Sequence, residues 1–180
     1  MSKKYLKTKL HQAITFFYLS LEAGLIGLAA YTLGKNLGTA IHHTSYELGG
    51  MWCAISALVV LQSFLKEAKK AAAARIFGSF IGAVVSTVIC KWWGYGYWQL
   101  IFSIMVSVYL MSLLGASNAT RLGSTTAAVI VISGILHPEE TAWLNALIRF
   151  LESVLGVSLA FIAVMLGEKL GIRVPKSIKE

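Results

Sequence analysis

The chain has 180 residues, 57% of them hydrophobic and 13% charged, with a mean hydropathy of +0.70 and a formal net charge of +8. A soluble domain carries roughly a quarter charged residues, and a disordered chain needs low hydrophobicity, so the composition excludes both a disordered protein and a two-domain soluble enzyme. The basic residues sit at the ends of apolar runs rather than on one solvated face, which excludes a nucleic-acid module as well.

Apolar runs of about 20 residues are long enough to cross roughly 30 Å of hydrocarbon, and the chain is expected to hold six. A basic leader occupies residues 1–12. The first run, residues 13–34, is too long for a signal-peptide core and has no small-residue cleavage site after it, so it reads as a retained helix. The second covers 46–65 and the third 74–90. The fourth, 97–115, opens beside Trp92, Trp93, Tyr95, Tyr97 and Trp98, an aromatic cluster of the kind that marks a membrane–water boundary. The fifth, 119–136, is short and carries Gly123, Ser124, Thr125, Thr126, Ser133 and Gly134. The sixth, 146–165, precedes a basic tail over 166–180. The expected fold is therefore an all-α membrane protein, a single transmembrane domain of six helices.

Six crossings put both termini on one side. Thirteen of the 16 Lys and Arg fall on that side and Lys35, Lys91 and Arg149 on the other, so the positive-inside rule makes the termini cytoplasmic. Five crossings would place the basic tail outside, against that rule.

The third and sixth runs share a pattern. Arg75, Ser79 and Gly82 recur as Arg149, Ser153 and Gly156, an offset of 74 that also carries segment 55–59 onto 129–133. Three helices per unit is an odd number, so the sequence predicts a 3+3 inverted repeat, residues 13–90 and 97–165, with its site between the halves. Each arginine is expected to open its helix, one at each face, where unpaired N–H groups and the macrodipole favour an anion. Two such mouths describe a path for a negative solute; arginines snorkelling into headgroups are the structural alternative.

Other residues fall into place around that path. Glu22 lies midway along the first run, where a carboxylate is costly unless paired or protonated. Glu152 follows Arg149 by three residues and shares its helix face. Glu22 and Glu152 are the proton-coupling candidates; the structural alternatives are a Glu22 pair with a basic group or a hydroxyl, and mutual neutralisation of Glu152 and Arg149. Ser103 and Ser107, with Thr125 in the run Ser124–Thr126, offer hydroxyls to an anion or to their own helix backbones. Gly78, Gly82 and Gly156 permit close helix packing. His42, His43, His137, Glu139 and Glu140 share the outer loops, and His with carboxylate suits zinc, but their spacing does not require a metal and none is expected. Cys53 and Cys90 fit neither a metal site nor a disulfide framework and read as small buried hydrophobes. No nucleophile–base arrangement or phosphate-cradling loop is present, so neither an enzyme nor a cofactor is expected.

The stretch Trp52-Cys53-Ala54-Ile55-Ser56-Ala57-Leu58-Val59-Val60-Leu61-Gln62, then Arg75-x-x-Gly78-Ser79-x-x-Gly82-Ala83, resembles the fusaric-acid-resistance-like family of membrane transporters. Ala127–Val131 and Arg149-Phe150-Leu151-Glu152-x-x-Leu155-Gly156 resemble its second half, and the resemblance covers about residues 45–165. The family usually has Pro where this chain has Ser63 and Gly-Thr where it has Gly78-Ser79, and many members carry a large cytoplasmic domain where this chain shows only its basic tail. The resemblance implies a six-helix unit, transport of small organic anions and assembly as a dimer. The expected function is efflux or permeation of small organic anions, aromatic ones included, past arginines at both mouths, with proton coupling, in the bacterial inner membrane. The expected partners are the lipid bilayer, the anion and a second copy of the chain, with no nucleic acid. The alternative is a structural or accessory membrane protein whose arginines serve topology and whose glycines serve assembly.

Overall fold

The computed structural model describes residues 3–41, 46–62 and 64–171, without the side chains of residues 3–8, 10–12 and 41. His42, His43, Ser63 and the tail beyond Gly171 lie outside it. Among the described residues all regular structure is helical: α1 (Lys3–Ile41), α2 (Tyr46–Val60), α3 (Leu65–Trp93), α4 (Tyr97–Leu113), α5 (Ser117–Leu136) and α6 (Ala142–Lys169). Four are long and apolar enough to cross a membrane: α1 over Ala13–Ala40, α3, α5 and α6. The other two, α2 and α4, are apolar but have 15 and 17 residues, about 22 and 25 Å at 1.5 Å per residue.

Several boundaries differ from the hydropathy pattern for local reasons. The helix α1 continues past Gly34, because Gly34 and Gly38 are packing points rather than caps. Gly34 lies against Cys53 and the Gly49 backbone of α2, and Gly38 against Tyr46. The helix α3 begins at Leu65, not at residue 74. Its first ten residues, Leu-Lys-Glu-Ala-Lys-Lys-Ala-Ala-Ala-Ala, include lysines that end the apolar run, yet nearly all are strong helix formers. Conversely α2 stops at Val60, and Gln62 Nε2 donates to the Val59 carbonyl at 3.0 Å, occupying one of the carbonyls a helix end leaves open. The helix α6 starts at Ala142 behind an extended Thr141. Gly94 and Gly115, at φ 75° and 67°, turn the chain out of α3 and into α5.

At the centre α3 packs on α6, with Phe80 and Phe150 edge to face at 5.9 Å. This pair is flanked by α2 on α6 and α5 on α3, and outside these α1 packs on α2 and α6 while α4 packs on α5 and α3. Small residues set the spacing: Gly82 meets Gly123 and Ala127 of α5, and Gly156 meets Cys53 and Ala57 of α2. Cys53, Ala57 and Val60 of α2 with Val157 and Ala160 of α6 form one core cluster, and Ala83, Ile130 and Ala146 a second. Large apolar side chains including Phe16, Leu28, Val88, Met105 and Ile162 are exposed, as lipid-facing residues are. Trp92, Trp93, Tyr97 and Trp98 are exposed too, at the α3–α4 corner.

Candidate anion site

Both arginines are fully interior. Arg75 is 1% exposed and Arg149 0%, so neither snorkels to a surface of the protein. Neither opens its helix, which corrects the sequence expectation: Arg75 lies ten residues beyond the start of α3 and Arg149 seven beyond the start of α6. The N–H groups of those first turns are therefore not at the arginines.

Arg75 is held by α2. Its Nε and Nη2 donate to Ser56 Oγ at 3.2 and 2.9 Å, and Ser56 Oγ in turn donates to the Trp52 carbonyl at 2.8 Å. The guanidinium carbon sits 4.4 Å above the Trp52 ring, a cation–π arrangement. Trp52 Nε1 is buried and has no hydrogen-bond partner among the described residues. No carboxylate forms an ion pair with Arg75 among those residues, so its positive charge is met by a hydroxyl and a ring.

Arg149 is held by its own helix. Nη1 lies 2.8 Å from Glu152 Oε2, both side chains wholly buried. The other carboxylate oxygen, Oε1, rests where a Cβ on Gly49 of α2 would be. One turn before Arg149, buried Asn145 donates from Nδ2 to the Ile130 carbonyl of α5 at 3.0 Å. Beyond it Tyr95 packs its ring on Gly134 and donates to the Glu140 carbonyl at 3.3 Å. Burial pushes the Tyr95 phenol up, so it stays neutral, and a donor, at physiological pH.

The two arginines lie at different depths. The Leu65 amide donates to Glu168 Oε2 at 3.1 Å, so the start of α3 stands beside the end of α6. At 1.5 Å per residue Arg75 is about 15 Å from that end and Arg149 about 28 Å, roughly 13 Å apart along the bundle. The polar groups Ser79 and Thr126 lie on the helices between, with Thr126 Oγ1 3.4 Å from Ser79 Oγ.

Other expected residues are placed as follows. Thr125 is exposed, its hydroxyl donating to the Arg121 carbonyl at 2.6 Å, while its neighbour Thr126 is the buried one. Ser103 and Ser107 are fully buried on the face of α4 that Met111 continues toward Gly123, without a hydrogen-bond partner among the described residues and with no hydrogen bond to either arginine. Gly78 and Gly82 pack on α5 and Gly156 on α2. Glu22 lines a cleft of about 250 Å³ with Tyr18 and Ile26 of α1 and Ala163, Leu166 and Gly167 of α6. Those α6 residues belong to its last turns, so Glu22 is nearer one end of the bundle than either arginine, not at mid-depth. The midpoint of α1 is not the midpoint of the bundle, because α1 begins at Lys3. His137 Nδ1 lies 3.4 Å from Glu139 Oε1, and no group of three or more metal-ligating side chains forms among the described residues.

The sequence pattern did not reveal Trp52 and Ser56 as the cradle of Arg75, nor Gly49, Asn145 and Tyr95 around Arg149. One signal was present: Trp52 and Ser56 are four residues apart, hence on one face of α2.

No curated protein and no solved structure matches the chain. A family model described as fusaric acid resistance protein-like matches residues 37–163, from the end of α1 through most of α6 and across both arginines. The chain therefore belongs to the fusaric acid resistance protein-like family, whose role is that of membrane transporters or efflux-related proteins rather than enzymes.

Proposed function

We propose that the chain moves small organic anions, aromatic carboxylates among them, along a path that passes Arg75 and Arg149. The observation that carries the reading is a buried guanidinium in a membrane protein that, among the described residues, has no carboxylate paired with it: Arg75, met there by Ser56 and the Trp52 ring. A buried charge is costly unless compensated, and a passing anion supplies the compensation that the resting side chains leave incomplete. The flat Trp52 ring beside the cation suits a substrate with its own ring next to its carboxylate.

The helix pairings support a 3+3 repeat. Exchanging residues 74 apart carries Gly156 against Cys53 onto Gly82 against Ala127, and Gly49 beside Glu152 onto Gly123 beside Gly78. The same exchange carries the packing of α1 on α2 and α6 onto that of α4 on α5 and α3. Two halves of three helices have opposite orientation, and the arginines then stand on opposite sides of the middle. On this reading all six helices cross, the short α2 and α4 within the bundle, and both termini are cytoplasmic. Assembly as a dimer and residence in a bacterial inner membrane go with the same reading, as does proton coupling through Glu152 or Glu22.

The test is reconstitution into liposomes with a panel of labelled carboxylates, with and without a pH gradient. Uptake above protein-free vesicles, weakened by Arg75→Gln in folded protein, is expected. Flux equal in parent, Arg75→Gln and Arg149→Gln would return the arginines to topology and packing.

A further inference from the structure

The two arginines keep different company at equivalent positions. Three residues after Arg75 stands Gly78, against the Gly123 backbone of α5; three residues after Arg149 stands Glu152, against Gly49 of α2. One half of the bundle thus carries a carboxylate where the other has bare backbone contact.

That carboxylate is poorly served for a structural ion pair. One oxygen faces one guanidinium nitrogen at 2.8 Å, and neither oxygen receives an aligned hydrogen bond among the described residues. The strong arginine–carboxylate arrangement is a two-pronged fork with two parallel N–H bonds, and buried polar atoms are ordinarily satisfied. Glu152 has neither the fork nor the satisfaction. Its Oε1 fills the volume that the missing side chain of Gly49 leaves.

We infer that Glu152 is a tethered competitor, its carboxylate holding the place on Arg149 that a substrate carboxylate takes during passage. This rests on the anion reading above and names the residue that sets its affinity. An anion gains Arg75 by adding to a hydroxyl and a ring, but at Arg149 it competes with a carboxylate already there. The consequence is kinetic as well as thermodynamic: a solute must bind well enough to enter and loosely enough to leave, and a competitor on the same side chain keeps the second arginine from trapping it.

The test is equilibrium binding of radiolabelled benzoate to the full chain in lipid nanodiscs, with folding checked by gel filtration. Glu152→Gln keeps the side-chain volume and removes the charge; about tenfold tighter benzoate binding is expected, equivalent to roughly 1.4 kcal/mol. The gain should vanish when Arg149→Gln is added and persist when Arg75→Gln is added. Gly49→Ala separates contact from field, since it keeps every charge but places a methyl group where Oε1 rests. It should tighten benzoate binding in the parent and do nothing in the Glu152→Gln background, and it remains decisive if Glu152→Gln does not fold. Unchanged or weaker binding by folded Glu152→Gln, a gain that survives loss of Arg149, or an equal effect of Gly49→Ala in both backgrounds overturns the inference. If parent and variants all fail to bind benzoate, the anion reading falls with it; if the parent binds and Glu152→Gln binds identically, only the competitor falls.

Discussion

Arg75 and Arg149 differ in what their removal leaves behind. Arg75→Gln leaves a serine hydroxyl and an indole ring, both tolerable inside a helical bundle, so the protein should fold nearly as well as the parent. A hydrogen bond to a charged group contributes about 1.5–3 kcal/mol, so losing this anion contact should lower benzoate uptake at limiting substrate by at least about tenfold, measured in liposomes. Arg149→Gln instead leaves Glu152 buried without its cation. Breaking a buried pair from one side costs about 3–5 kcal/mol, so that variant should lose expression and melt earlier, read by fluorescence-detected gel filtration after a heat ramp. Adding Glu152→Gln should restore the melting temperature, and failure to restore it would mean that Arg149 stabilises the bundle through some group other than Glu152. The pairing of Arg149 with Glu152 was legible in the sequence, because three residues on a helix fix a common face. The cradle of Arg75 was not, because nothing in a single chain says which face of α2 meets which face of α3. The Thr125 and Thr126 pair shows how fine that limit is: one residue along a helix is a rotation of about 100°, enough to exchange an outward hydroxyl for a buried one.

Glycine means different things on different helices, and the difference is measurable. A methyl group on Gly156 would meet the Cys53 carbonyl and the Ala57 amide, and one on Gly82 the Gly123 carbonyl. Both are backbone contacts that cannot swing aside, and overpacking costs about 1–3 kcal/mol, so Gly82→Ala and Gly156→Ala should each lower the melting temperature by similar amounts. Gly24 on α1 has open space around it, and replacing a helical glycine by alanine is worth about 0.5–1 kcal/mol, so Gly24→Ala should be neutral or stabilising in the same assay. A sequence shows a glycine without showing which of these it is. That is why residue 34 resembled the end of the first helix, although it is a packing contact and the helix continues past it to Ile41. The start of α3 was hidden for a related reason. Hydropathy follows the membrane and stops at Lys70, whereas backbone propensity follows the alanines and glutamate back to Leu65.

At the scale of the molecule, the count of apolar runs and the asymmetry of basic residues were enough to predict a helical membrane protein, and the arrangement of its helices came only with the structure. Sidedness is open to a direct check. In a variant with Cys53 and Cys90 replaced by alanine, Ser2→Cys and Lys179→Cys should both resist an impermeant maleimide in intact cells and react after permeabilisation. Labelling of either one in intact cells would break the six-crossing arrangement. The native cysteines offer something further. Cys53 is wholly buried, its Cβ against Gly34 of α1 and its carbonyl against Gly156 of α6, so its thiol is sealed by the contacts that hold α1 and α6 onto α2. Any working cycle that parts these helices must uncover a sulfur, and the rate at which a permeant maleimide consumes it becomes a clock for that motion. In a chain with Cys90 replaced, alkylation should be slow at rest and quicken while a transported carboxylate is present, timing the opening of the protein through a cysteine it already carries.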